Sequence, residues 1–457
     1  MLNFIYKINK ISVLYLRFLL IIIAVSGNAV FSQTEKIQGF KHPDWSYNKT
    51  IYEVNVRQYT PEGTFEAFAE NLPRLKNLGV GILWFMPINP IGIKNRKGSL
   101  GSYYSVRNYT EINPEFGTLQ NFKDVVKHAH NLGMHVIIDW VANHTAWDNP
   151  WITSHPDFYT KDSTGNFVSP FDWSDVVDLN YDNKELWNYM RDAMKYWIDE
   201  CNIDGFRCDV AAMVPLEFWK WVRPQLEKTK KIFMLAEASE PEMHEAFDMT
   251  YNWQLKDLFV DIAKNKKCAE DVNKYYEQEK ITYPRDAYRM VFTTNHDENS
   301  WNGTDSERFG DFAECFTVVT GVVNGMQLVY SGQEAGLNKR LKFFDKDTIV
   351  WKESKFKDIF TKLASLKKEN QALWNGSMGG EMEIIDPGDS TVFSFVRKKN
   401  DNKIFAVFNF SDSPKDISFT DTRTAGEYKN AFNDSTTVID ANQKVLLKPY
   451  GYLVLYK

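Results

Sequence analysis

Apolar and polar positions follow two different periods along this chain. From residue 45 onward, short apolar, β-branched runs exchange with stretches whose apolar positions recur every three or four residues. The runs 51–56, 81–88, 135–141, 205–210, 232–237, 247–251, 288–294 and 326–331 predict eight strands, the sixth being the weakest. Helices are predicted over 65–77, 119–132, 184–201, 215–228, 311–323 and 355–368, with Gly79 and Gly133 as stop signals after the first two. In 184–201, for instance, Leu186, Met190, Ala193, Met194 and Trp197 share one face. The third strand is apolar almost throughout, as strands buried on both faces of a parallel sheet are. Alternation alone also fits an open doubly wound sheet. The count of eight favours an α/β fold of the (β/α)8, or TIM-barrel, kind.

Two stretches depart from a minimal barrel. After the third strand, residues 143–183 are rich in Trp, Asp, Pro and Gly, and predict an inserted subdomain or lid. Beyond residue 376 the pattern turns to short strands at 391–397, 403–410, 444–447 and 452–456, separated by turn signals such as Pro387-Gly388-Asp389. The expected organisation is therefore a barrel of 33–142 and 184–376, the insert 143–183, and a C-terminal antiparallel β-sandwich over 377–457. The N-terminus reads differently again. Lys7, Lys10 and Arg17 precede the apolar run from Phe18 to Val25, and small residues follow before a polar chain. That order predicts a cleaved signal peptide over 1–32, because the run is far short of the ~20 residues that span a bilayer. The expected product is exported, to the periplasm or beyond the cell, with no stable membrane anchor.

The formal charge of −6 argues against nucleic acid or an anionic membrane as the main partner. Four cysteines, Cys201, Cys208, Cys268 and Cys315, show no paired spacing and predict free thiols, while the eight histidines lack zinc-ligand spacing. Aromatic residues reach 15%. They serve either as core or as flat surfaces for sugar rings, and Trp147, Trp151, Trp173 and Trp301 on the barrel-top loops stand open to both uses.

Chemistry in such a barrel belongs at the C-terminal strand ends. Here the third strand ends Asp139-Trp140-Val141-Ala142-Asn143-His144, the fourth Phe206-Arg207-Cys208-Asp209, the fifth Leu235-Ala236-Glu237, and the seventh Thr293-Thr294-Asn295-His296-Asp297. Three strands thus deliver a carboxylate, Asp209, Glu237 and Asp297, to one face. Two carboxylates flanking a bond are what glycoside hydrolysis needs, one ionised to attack and one protonated to assist departure. Arg207 and Asp209 lie two apart and share a face, so the guanidinium should lower the Asp209 pKa. The apolar Phe233 to Ala236 before Glu237 should raise that of Glu237.

These four segments, in this order, resemble the signature regions of the α-amylase family, glycoside hydrolase family 13. Supporting stretches are Gly81–Pro87, Val177-Asp178-Leu179-Asn180 and Met326–Gly336. The resemblance implies Asp209 as nucleophile, Glu237 as general acid/base and Asp297 as transition-state stabiliser. It also implies that Tyr104, His144, Arg207 and His296 line the subsite of the attacked sugar, with Asp139 supporting Arg207. The reaction would be a double displacement with retention of the α-anomer, through carboxylates ~5–5.5 Å apart. A structural Ca2+ is a further implication, since Asn143 and Asp178 match oxygen-donor positions, although either residue could equally pin the insert by hydrogen bonds. No organic cofactor is implied. The expected substrates are α-1,4-glucans of the starch or glycogen type and malto-oligosaccharides. Two departures bear on this. Ala212 and Met213 stand where many α-amylases carry Lys-His, and Gly101 stands where family α-glucosidases often have Asp. An exo-acting α-glucosidase or a transglycosylase on the same residues is the alternative within the enzyme class, and a non-catalytic glycan-binding protein the alternative outside it.

Overall fold

A computed structural model describes residues 40–440 and 444–457; the segment 1–32, read above as a signal peptide, lies outside them. In chain order the first ten strands are β1 (Ile51–Val54), β2 (Ile82–Phe85), β3 (His135–Val141), β4 (His144–Ala146), β5 (Val176–Asp178), β6 (Gly205–Asp209), β7 (Phe233–Ala236), β8 (Met249–Tyr251), β9 (Tyr288–Val291) and β10 (Met326–Tyr330). Eight of these pair in parallel and close on themselves in the order β1-β10-β9-β8-β7-β6-β3-β2. The chain is a closed (β/α)8 barrel, as the strand count predicts.

Side chains alternate between two apolar layers, because successive residues of a strand point to opposite faces. Ile51, Ile82, Trp84, Ile137, Phe233, Leu235, Met249, Tyr288, Met290 and Leu328 pack together inside the barrel. Tyr52, Val54, Leu83, Phe85, Val136, Ile138, Phe206 and Met234 face the opposite way, against the helices. The inward register changes character toward the strand ends. Ile51 is followed two residues on by Glu53, Ile137 by Asp139, and Leu235 by Glu237, while β6 carries Arg207 and then Asp209. The closed barrel thus gathers charged groups at one mouth above an apolar plug. Gly205 makes the β6–β7 approach possible, since a Cβ there would lie 1.8 Å from the Phe233 carbonyl oxygen.

Several elements differ from the sequence reading. The helix expected over 65–77 is two, Phe65–Ala69 and Leu72–Leu78. Pro73 lies in the first turn of the second, where a missing N–H breaks no helical bond. Between β8 and β9, where no helix was expected, lie Trp253–Ala263 and Ala269–Thr282. The second buries only Ala269, Val272, Tyr276 and Glu279, a narrow stripe with a charged member. In the insert, β4 pairs antiparallel with β5, setting His144 opposite Asp178.

Eight further strands form the C-terminal domain: β11 (Glu381–Ile384), β12 (Val392–Lys399), β13 (Asn402–Asn409), β14 (Lys415–Ser418), β15 (Gly426–Asn430), β16 (Thr436–Ile439), β17 (Lys444–Leu447) and β18 (Tyr452–Tyr456). They make an antiparallel six-stranded sheet, β11-β12-β13-β18-β15-β16, and a two-stranded one, β14-β17. One face of the larger sheet sends Phe393, Phe395 and Phe408 onto the barrel helices, where Tyr276 and Phe316 meet them. The other face buries Val396, Phe405 and Leu455 with Ile417 and Val445 of the smaller sheet. All four cysteines are free, and no helix among the described residues is long and apolar enough to cross a membrane.

Candidate active site

A cleft of about 500 Å3 opens at the C-terminal mouth of the barrel. Asp209, Glu237 and Asp297 line it, together with Tyr104, His144 and His296. The insert contributes Asp172, Trp173 and Asp175 to one wall, and Trp301, Phe343 and Phe344 contribute to the cleft as well. Lys97 ties the loop after β2 to the insert through Asp175 at 2.9 Å.

Arg207 organises the floor. Its side chain is wholly buried, and Nη1 lies 2.9 Å from Asp139 Oδ1 and 3.1 Å from Asp209 Oδ1, while Nη2 pairs with Glu237 Oε1 at 2.8 Å. Nε donates to the Tyr251 hydroxyl at 3.1 Å. One planar cation therefore holds Asp209 and Glu237 side by side. Asp139 is saturated by Arg207, by Trp84 Nε1 at 3.2 Å and by the Tyr104 hydroxyl at 3.0 Å. His296 reaches Glu53 through Nδ1, and through Nε2 it lies 3.2 Å from Asp297 Oδ2 and 2.8 Å from the Tyr104 hydroxyl. His144 comes within 3.9 Å of Asp209.

The electrostatics depart from the sequence expectation. Burial first, and then the facing Glu237 carboxylate, push Asp209 well above the usual carboxylate range, against the pull of Arg207. The expected lowering fails because one guanidinium is shared among three carboxylates. Nor is the Glu237 carboxylate in an apolar setting. Phe233 and Leu235 point into the barrel core beneath it, whereas Glu237 itself reaches across to Arg207 and accepts the Val210 N–H at 2.7 Å. Val210 adopts a left-handed conformation, φ 37°, a strained backbone for a β-branched residue and one placed directly after Asp209. Burial likewise raises Asp139 to about 6. Burial would also raise Asp297, but the His296 charge and hydrogen bond hold it below the usual range. Burial lowers His144 to about 4, so that imidazole is neutral at pH 7.

The four tryptophans separate by place. Trp173 and Trp301 line the cleft. Trp151 packs among Tyr109, Phe158 and Tyr189, and Trp147 donates to the Ser174 carbonyl and faces Lys94. Tyr104 lies parallel to the Phe343 ring, 6.2 Å away. Glu53 and Phe343 were not singled out in the sequence. A charge inside the buried strand Ile51–Val54 was the available signal for Glu53. Gly101 has φ 79°, and a Cβ there would lie 2.7 Å from Ile91, so the fold leaves no room for an acidic side chain at that position.

Asn143 and Asp178 meet where the insert joins the barrel. The Asn143 carbonyl accepts from Leu179 N–H at 3.0 Å, and Asp178 is engaged by Thr160. Two side chains fall well short of the six to eight oxygens Ca2+ takes. Among the described residues, no group of three His, Cys, Asp or Glu side chains is arranged to hold a metal ion. The donor set present does not by itself make a calcium site.

A sequence profile of the alpha-amylase catalytic domain matches residues 34–174 and 157–380, and one of the maltogenic amylase C-terminal domain matches 382–454. The crystal structure of an alpha-amylase from Lactobacillus plantarum superposes with a TM-score of 0.82 at 31% identity, covering 90% of this chain and 99% of its own. That of a noncanonic maltogenic alpha-amylase, AmyB, from Thermotoga neapolitana gives 0.82 at 32% identity, over 90% and 98%. Alpha-amylase MalA of Haloarcula japonica is 25% identical over 429 residues, 87% of this chain but 62% of MalA.

Proposed function

The chain belongs to the alpha-amylase family of glycoside hydrolases, and from that premise we propose that it is an exported, retaining hydrolase of α-1,4-glucosidic bonds in α-glucans and malto-oligosaccharides. One observation carries the reading. Asp209 and Glu237 are bound by the two terminal nitrogens of a single buried guanidinium at the barrel mouth, with Asp297 in the same cleft.

In the proposed reaction a glucosyl ring stacks on Tyr104, and His144, Arg207 and His296 meet its hydroxyls. The seated sugar draws the Glu237 carboxyl from Arg207 to the glycosidic oxygen. In this arrangement Glu237 enters the reaction as the protonated acid. Arg207 is then left to Asp139 and Asp209, which favours ionised Asp209. Asp209 attacks the anomeric carbon as Glu237 gives its proton to the departing oxygen, and a covalent glycosyl ester forms. Glu237, now a carboxylate, takes a proton from water, and that water displaces Asp209. Two inversions give net retention. Asp297, kept anionic by His296, opposes the positive charge that develops on the ring.

The match to a maltogenic amylase C-terminal domain and the likeness to AmyB favour short products as a second reading within the same chemistry. A proton NMR time course on maltoheptaose, with Asp209→Asn in parallel, tests both. Early α-anomeric product, absent with the variant, supports the proposal, and the length of that product separates endo action from release of maltose or glucose. β-Anomer appearing first overturns the mechanism.

A further inference from the structure

Glu53, on β1, has no part in the chemistry above, yet it is wholly buried at the barrel mouth. Its Oε1 bonds His296 Nδ1, and its Oε2 meets no donor among the described residues. Leaving half of a buried carboxylate unmet is costly, so its one bond matters. A donor count at His296 shows how. The Tyr104 hydroxyl has a single proton, directed to Asp139 Oδ2 at 3.0 Å, and its oxygen lies 2.8 Å from His296 Nε2. A hydroxyl that has given its proton away can only accept. Burial raises the Glu53 pKa above its ordinary value while the His296 charge and hydrogen bond pull it back, and in its ionised form the carboxylate at Nδ1 can also only accept. Both ring nitrogens of His296 must then carry hydrogen.

We propose that Glu53 is a positioning residue that holds His296 as an imidazolium, so that a fixed positive charge and an Nε2–H face Asp297 and the sugar hydroxyls seated beside it. The inference rests on Asp297 being the third member of the catalytic set. The groups around His296 agree with this charge. Asp297 and Glu53 both raise the imidazole above its usual range against the lowering effect of burial. Asp139 on β3 lies close enough to be influenced by it. Trp84 on β2 presents an edge at 6.1 Å, Tyr104 stacks at 5.4 Å and Phe343 lies at 6.3 Å, all uncharged. Tyr330 on β10 stands near Glu53 as a neutral phenol. Arg207 on β6 is the opposing cation, and its charge is already shared by Asp139, Asp209 and Glu237.

The sign of the effect is definite. Glu53→Gln keeps an acceptor at Nδ1 but removes one of the two charges that raise His296, so the His296 pKa falls while Asp297 still opposes burial. The imidazolium is then kept at low pH and lost as pH rises through the lowered pKa. The expected kcat ratio of parent to variant grows several-fold as pH is raised from about 5.5 to about 8.5, with KM changing less than kcat. A merely structural role would lower kcat by the same factor at every pH, and that result overturns the proposal. A second measurement does not depend on Glu53→Gln folding. Nitrogen-15 spectra of histidine-labelled parent protein at pH 8, with His296→Asn for assignment, are expected to show both ring nitrogens of His296 protonated. A neutral-tautomer pattern overturns the proposal. Because these spectra need no substrate, their failure is distinguishable from failure of the hydrolase reading.

Discussion

Replacing Arg207 with methionine puts the organisation of the site to a quantitative test. The guanidinium is wholly buried and touches Asp139 at 2.9 Å, Asp209 at 3.1 Å and Glu237 at 2.8 Å. Methionine fills the stem's volume and removes the only cation, among the described residues, in contact with all three. Breaking a buried pair from one side costs about 3–5 kcal/mol, because the partner charge stays buried and uncompensated. Three adjoining carboxylates without their cation must take up protons. A carboxyl whose folded pKa lies above its unfolded value keeps its proton while the unfolded chain releases it. Folding stability therefore falls as pH rises, by about 1.4 kcal/mol per pH unit for each extra proton retained. One additional proton held to pH 7 widens the gap between parent and variant by about 2.7 kcal/mol between pH 5 and pH 7. Urea unfolding followed by tryptophan fluorescence at pH 5, 6 and 7 measures that gap. A gap that stays constant with pH would refute the reasoning, because it would mean that Arg207 contributes packing and does not neutralise the carboxylates.

Other consequences are open to simpler assays. Asp297→Asn should lower kcat on maltoheptaose by about 10²–10³ with KM little changed, as loss of a charge that acts on the transition state does. Trp301 is half exposed over the cleft and rests on Phe343 at 5.2 Å. Trp301→Ala should weaken oligosaccharide binding by the ~0.5–1.5 kcal/mol of one aromatic contact, read as a few-fold rise in KM. Gly205→Ala should yield insoluble protein, because its Cβ would sit 1.8 Å from the Phe233 carbonyl oxygen; a soluble, active variant would contradict the β6–β7 register. Reducing agent should leave the melting temperature unchanged, and a thiol reagent in denaturant should titrate four cysteines per chain.

What the sequence disclosed follows from where burial acts. The barrel strands are buried at nearly every position, and β2, β3, β7 and β10 stand out as apolar runs, β8 least clearly. The C-terminal strands β11, β14, β15 and β16 carry a single buried residue each, and without an apolar run they left no mark. The inward charges Asp139, Arg207, Asp209 and Glu237 were legible because they interrupt apolar strands at a spacing of two. Their protonation was not. Sequence shows Arg207 beside Asp209, and the resemblance implies Asp139 as its support, but the sharing of that guanidinium with Glu237 arises only when β6 and β7 lie side by side. Glu53 escaped for the same reason, since its partner His296 is 243 residues away in the chain.

The central claim is that Asp209 forms the covalent bond. The most direct test is to incubate the protein with a 5-fluoro-α-maltosyl fluoride, which slows release of the intermediate, and to follow intact mass and then peptide mapping. The account predicts one maltosyl unit per chain, attached to Asp209 and absent from Asp209→Asn. Attachment to Glu237 or Asp297, or steady turnover of a maltosyl donor with no adduct at any time, would contradict it.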